Sequence, residues 1–129
     1  MKKCRVIKYF ITSFCLFFSI NTLADNNNLA DPLAAGWQGK KVCELLHEDA
    51  KQRVLRCTFP VGVGHERHFH KAHFGYALSG GKMRLTSSKG VREVSLATGS
   101  SYTSTGVEWH EVLNIGETSV IYLIVEPKN

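Results

Sequence analysis

Four histidines carry the spacing of metal ligands. His68 and His70 are one residue apart in the run HERHFHKAHFGYALSGG, residues 65–81. On a β-strand, side chains at i and i+2 share one face. His73 follows a short break and can come round to the same side. His110 stands in a second strand-like run, EWHEVLN. Imidazoles converging from one side form a ligand set that iron, manganese, zinc, nickel or copper can accept. The expectation is one divalent transition metal ion on His68, His70, His73 and His110, held where the two runs meet inside a barrel. The blander alternatives are a chance His68–His70 pair on a strand and a His73 that lies outside the ligand sphere.

The neighbours of these histidines have expected roles too. Glu66 shares strand parity with His68 and His70, so it is expected to face the metal as a general base or to orient a histidine. The alternative is a rim charge paired with Arg67 or a lysine. His65, just before the strand, is expected to be exposed, and His47 to be solvated beside a polar turn. Gly75 and Ala77 share parity with His73 and would leave room beside the metal for a compact ligand, unless the sheet simply needs small residues there. Phe69, Phe74, Tyr76 and Trp109 read as core or interface aromatics.

The elements that must position these residues are strands. No amphipathic helix is evident after residue 41. Short β-rich runs at 53–61, 74–79, 82–86, 91–96, 100–104, 109–113 and 119–125 alternate with turns such as SSKG and NIGE. That rhythm predicts an all-β sandwich or barrel. Two further runs, KVCELLH and QRVLRCTF, flank a polar turn. Folding them antiparallel about Ala50 sets Cys43 opposite Cys57, within disulfide reach. Such a loop, about 15 residues long, would contribute roughly 3 kcal/mol. Two buried free thiols are the alternative.

The chain has 129 residues, with 16 Lys and Arg against 11 Asp and Glu. Residues 1–24 read as a secretory signal peptide. Lys2, Lys3, Arg5 and Lys8 precede the apolar stretch 9–20, and Thr22-Leu23-Ala24 is a small-x-small site with the cut between Ala24 and Asp25. The apolar stretch falls short of the roughly 20 residues that span a bilayer. Removing the leader removes four basic residues and no acidic one, so the remainder is nearly balanced. Nothing then points to nucleic acid, and no membrane association is expected after cleavage. The protein is expected to be periplasmic or secreted, where a Cys43–Cys57 bond would persist. Residues 25–36 are expected to be a flexible lead-in, and 37–127 the barrel.

Two motifs bring a known family into view. Gly62 is followed by five residues and then His68 and His70, and the run YALSG closes on Gly80. Gly99, His110 and Asn114 fall at matching intervals in the second half. The chain resembles a small single-domain cupin, whose motifs are G-x5-H-x-H…G and G-x5-P-x-G-x2-H-x3-N. The resemblance implies an all-β jelly-roll barrel, the double-stranded β-helix. Three departures stand out. His73 lies where the family usually has Glu, Thr105 replaces the Pro, and Val107 replaces the second Gly, with Gly106 between them. The first changes the chemistry, because an all-histidine set leaves a divalent ion its full charge. Such a site should attract anions or an ionised water.

Two functions from different classes follow. One is an enzyme: the resemblance implies metal-dependent dioxygenase, isomerase or lyase chemistry on a small anionic organic molecule, without choosing among them. The other is an exported module that captures a metal or small ligand without turnover. Small cupins are often dimers, so the resemblance also implies a homodimer.

Overall fold

The structure is a computed structural model describing residues 29–128. The expected leader and its Ala24–Asp25 cut lie outside the described residues. Those residues form eleven strands: β1 Gly36–Trp37, β2 Lys40–Lys41, β3 Cys43–Glu48, β4 Gln52–Phe59, β5 Gly64–His70, β6 His73–Ser79, β7 Gly81–Ser87, β8 Gly90–Leu96, β9 Ser101–Ser104, β10 Val107–Asn114 and β11 Val120–Pro127. They make a four-stranded sheet in the order β5-β10-β7-β8, a five-stranded sheet β3-β4-β11-β6-β9, and the small β1-β2 hairpin. Every pair of neighbouring strands is antiparallel. The expected all-β architecture is present; the seven runs from 53–61 to 119–125 each form a strand with edges within two residues of those expected, while the β1–β2 hairpin at 36–41 was not foreseen.

Alternation explains why the sheets face each other. On β6, His73, Gly75 and Ala77 are buried while Phe74, Tyr76 and Leu78 are exposed. On β4, Leu55, Cys57 and Phe59 point inward. They meet Met83 of β7 and Val112 of β10 from the other sheet, with Val120 and Ile124 of β11 completing the core. Burying each such side chain contributes about 1.5–3 kcal/mol. Cys43 and Cys57 are register partners on β3 and β4 and form the disulfide, with Cα atoms 4.0 Å apart. It staples the edge strand β3 onto the sheet.

The expected flexible lead-in, 25–36, is corrected over its described part. Residues 29–36 are packed against the barrel. Ala30 bridges to His68 in a parallel pairing, Pro32 and Ala35 are buried, and Asp31 pairs with Arg53. The Asp31 carboxylate also accepts from Leu33 N–H, and its carbonyl accepts from the amides of Ala34 and Ala35. The polar run before it hides a compact turn whose small apolar residues fit against β5.

Asn114, at the end of the second motif, is structural. Its Nδ2 donates to the carbonyls of Phe59 and Thr118, and its Oδ1 accepts from Gly116 N–H. A fully buried amide with its bonds satisfied closes the β10–β11 turn. Among the described residues, no helix is long and apolar enough to cross a membrane.

Candidate metal centre

Two strands of one sheet and one strand of the other deliver the histidines. His68 and His70 sit at the inner end of β5, and His110 faces His68 directly across β10. Both strands carry a bulge there. Between His65 and His68, β5 has one residue more than β10 has between Val112 and His110. Between Val107 and His110, β10 has one more than β5 has between His70 and His68. Each bulge resets the pleat, so His65, His68 and His70 all point inward, as do Val107 and His110. The bulged residues turn outward together, and the Arg67 guanidinium lies 3.5 Å from the centroid of the Trp109 ring.

The nitrogens converge. Nε2 of His68 lies 3.1 Å from Nε2 of His70 and 3.0 Å from Nε2 of His110. Two ligands at roughly 2.0–2.1 Å from one ion lie about 2.9 Å apart at a right angle and about 3.4 Å apart at the tetrahedral angle. The observed spacings fall between these limits.

The opposite ring nitrogens fix what the Nε2 atoms are. His68 Nδ1 is 2.6 Å from the carbonyl of Glu66, and His70 Nδ1 is 3.0 Å from Oε1 of Glu126. A carbonyl or a carboxylate accepts and cannot donate, so both Nδ1 atoms carry the proton. A neutral ring then has a bare lone pair at Nε2. Where both rings are neutral, two such lone pairs 3.1 Å apart repel unless a proton or a metal cation lies between them. The donor set therefore suits a metal ion, and His68, His70 and His110 could hold one.

The surroundings keep the His68, His73 and His110 rings neutral. Burial, with the adjacent His65 ring adding to it, pushes His68 down to about 2. Burial, then the facing His70 and His65, brings His110 to about 3. Burial also lowers His73. Glu126 is the charged exception. Burial would push its carboxyl up, but hydrogen bonds from His70 and Arg53 outweigh that and hold it below the usual carboxylate range. Arg53 in turn reaches Asp31, with Nη2 to Oδ2 at 2.6 Å. A chain Asp31–Arg53–Glu126–His70 thus runs from the packed N-terminal segment to the metal centre.

Shape agrees with the barrels of known proteins. A cupin domain from Bordetella pertussis Tohama I superposes with a TM-score of 0.65 at 22% identity, covering 68% of this chain and 93% of that one. The chain has the cupin fold. The polyketide cyclase RemF from Streptomyces resistomycificus matches at TM-score 0.54 and 19% identity, over 66% of this chain and 63% of its own. A predicted oxalate decarboxylase from Thermotoga maritima matches at 0.50 and 20%, over 64% and 76%. No protein-family model matches the sequence, and no curated protein does.

Within the cupin barrel the expected site residues separate into groups. His68, His70 and His110 come together as expected. His73 lines the same cavity, with its ring 4.8 Å from that of His70. It lies outside the group of mutually close ligand atoms. Its Nδ1 donates to the Lys71 carbonyl at 2.8 Å, which leaves its Nε2 bare as well.

Two expectations are corrected. Glu66 does not face the centre; the β5 bulge turns it outward, where Oε1 accepts from Gln38 N–H at 2.8 Å. That bond pins the two-residue turn Gln38-Gly39, whose φ values of 51° and 78° suit a tight hairpin. His65, expected to be exposed, is buried and lies against His68 with ring centroids 3.7 Å apart. Its Nε2 donates to the Pro32 carbonyl at 3.0 Å, so its tautomer is the reverse of a ligand's and it braces His68 from behind.

Two functional residues escaped the sequence reading. Glu126 continues the inward alternation Tyr122–Ile124–Glu126, a signal the sequence carried. Tyr102 fills the space that Gly75 leaves, where any Cβ would collide with its ring. The expected room beside Gly75 is therefore already occupied.

Glu126→Gln should lower metal affinity by about 10–100-fold, because the amide NH2 must then face either the Arg53 guanidinium or His70 Nδ1–H, two donors that cannot accept from it. Glu66→Gln should leave it unchanged; competition with a chromogenic chelator measures both. A second outcome concerns the metal-free chain. With His65 lowered to about 4, His68 to about 2 and His110 to about 3, the unfolded state takes up protons first as pH falls below about 6.5. Thermal melts in chelator should show stability lost progressively from pH 7 towards pH 4, and saturating metal should raise Tm most near neutral pH.

Proposed function

We propose that this chain is an exported cupin that binds one divalent transition metal ion on His68, His70 and His110, with His73 as the fourth ligand, and acts on a small organic anion. The observation that carries the reading is the convergence of the His68, His70 and His110 Nε2 atoms, with Nδ1 of His68 and of His70 each turned to an acceptor. Neutral imidazoles suit zinc, copper, iron or nickel, with manganese also compatible. A divalent ion in such a site supplies Lewis acidity or, where redox-active, oxygen activation. The chain's own residues hold and aim the rings, and a largely apolar cavity lies beside them. That a polyketide cyclase and a predicted oxalate decarboxylase share the fold is consistent with an enzyme.

One observation favours the second reading, capture without turnover. Among the described residues no Asp or Glu lines the cavity, and burial raises the pKa of both phenols there, Tyr102 and Tyr122. An obvious proton shuttle is therefore missing. Export is supported by the leader pattern and by the Cys43–Cys57 disulfide, which persists in oxidising compartments.

The test is metal content of the untagged mature chain, beginning at Asp25, purified from the periplasm. About one equivalent is expected, lost in His68→Ala and His110→Ala. A parent chain that holds no metal after exposure to zinc, iron, copper, nickel and manganese would contradict the proposal. Turnover or oxygen uptake across a panel of organic acids then separates the enzyme from the capture module.

A further inference from the structure

The cavity beside the histidines has one charged side chain to spare. Its volume is about 400 Å³, within the range of small-molecule sites, roughly 300–1,000 Å³. Part of its lining is apolar, formed by Met83 and Leu85 of β7, Val94 and Leu96 of β8, and Ile124 of β11. Among the described residues no carboxylate lines it, and Arg92 is the only Arg or Lys that does.

Arg92 stands at the mouth. It shares the inward parity of Val94 and Leu96 on the edge strand β8. Its register partner is Leu85, which pairs in turn with Val112, two residues from His110. An outer groove runs between β8 and the β9–β10 turn, and Arg92, Ser104, Val107 and His110 line both the groove and the cavity. These residues therefore frame the opening. The other arginines of the barrel are engaged. Arg53, Arg56 and Arg84 pair with carboxylates, and Arg67 covers Trp109. Among the described residues Arg92 has no ion-pair partner. Its charge is close enough to His110 to oppose protonation of that ring.

We infer that the ligand of this cavity is an apolar monocarboxylate, its carboxylate held between Arg92 and the histidine cluster and its uncharged remainder lying against Met83, Leu85, Val94 and Leu96. The charge follows from an unpaired guanidinium, whose planar fork matches a carboxylate, in a cavity without a competing acid. The apolar body follows from that apolar lining, which offers a polyanion no further partners and would leave its extra charges desolvated. The size follows from the volume. At about 30 Å³ per atom, the share a water molecule takes, the ligand has on the order of a dozen non-hydrogen atoms. The inference deepens the metal-centre reading and rests on it for the inner positive charge. The Arg92 contact does not depend on that charge.

The experiment is titration calorimetry on the mature chain, with and without bound zinc, using 4-phenylbutyrate, its neutral amide and citrate as probes. The acid should bind at least about tenfold more tightly than the amide, and citrate should bind more weakly than 4-phenylbutyrate. Arg92→Gln should remove the preference for acid over amide in the zinc-free chain and reduce it in the zinc-loaded one, and Arg92→Lys should retain more of it. Far-UV circular dichroism and unchanged zinc content confirm that the exposed edge-strand variants are folded. Equal affinity for acid and amide, tighter citrate binding, unchanged acid affinity in Arg92→Gln, or no binding of 4-phenylbutyrate overturns the inference. An Arg92-dependent acid preference in a chain that holds no zinc would sink the metal reading and leave this one standing. Zinc held without any acid preference would do the reverse.

Discussion

Everything in this barrel turns on where two imidazole protons are. The Glu66 carbonyl and the Glu126 carboxylate each take an Nδ1 proton, and that leaves the Nε2 lone pairs of His68 and His70 facing each other with nothing to share. Two acceptors this close are unfavourable in a low-dielectric interior. The chain nevertheless builds the arrangement from a bulged strand, a buried ion pair and a packed terminus. A cation removes the conflict, and the same contacts that create it hold the rings ready.

The rest of the fold makes that geometry rigid. His65 lies against His68 and is tied to Pro32, so the N-terminal segment props the ligand strand from behind. Arg53 and Glu126 are register partners on β4 and β11. Their pair is partly buried, and a buried charge needs its partner, since leaving one alone costs about 3–5 kcal/mol. Asp31 completes the set from the same N-terminal segment. The disulfide fastens β3 to β4, with Cys43 Sγ 3.9 Å from Nδ1 of His65. The first residues of the folded domain thus reach the centre by two routes, one through His65 and one through Arg53.

Much of this was legible in the residues and some was not. The strands, the pairing of Cys43 with Cys57 and the three central ligands could be read from alternation and spacing, because period two is a local property of the backbone. The errors have separate causes. Simple parity assumes an unbroken pleat, and the bulge between His65 and His68 breaks it, so Glu66 was assigned inward, the reverse of what the ladder enforces. His65 was placed before the strand, which in fact begins at Gly64. His73 lies on the other sheet, so its distance from the cluster depends on how the sheets pack, which no local pattern specifies. Glu126 was readable in principle, as the next inward position after Ile124, but its partners Arg53 and His70 come from remote strands. The space expected beside Gly75 was lost to Tyr102, a neighbour known only once β6 and β9 are paired.

The most direct measurement is nitrogen-15 NMR of the imidazole rings in the chelator-treated chain at neutral pH. The account predicts His68 and His70 as Nδ1–H tautomers with unprotonated Nε2, and His65 as the opposite tautomer, with the Nε2 signals of His68, His70 and His110 shifting together when one equivalent of zinc is added. Protonated Nε2 on His68 and His70, or zinc that moves none of these three nitrogens, would contradict it.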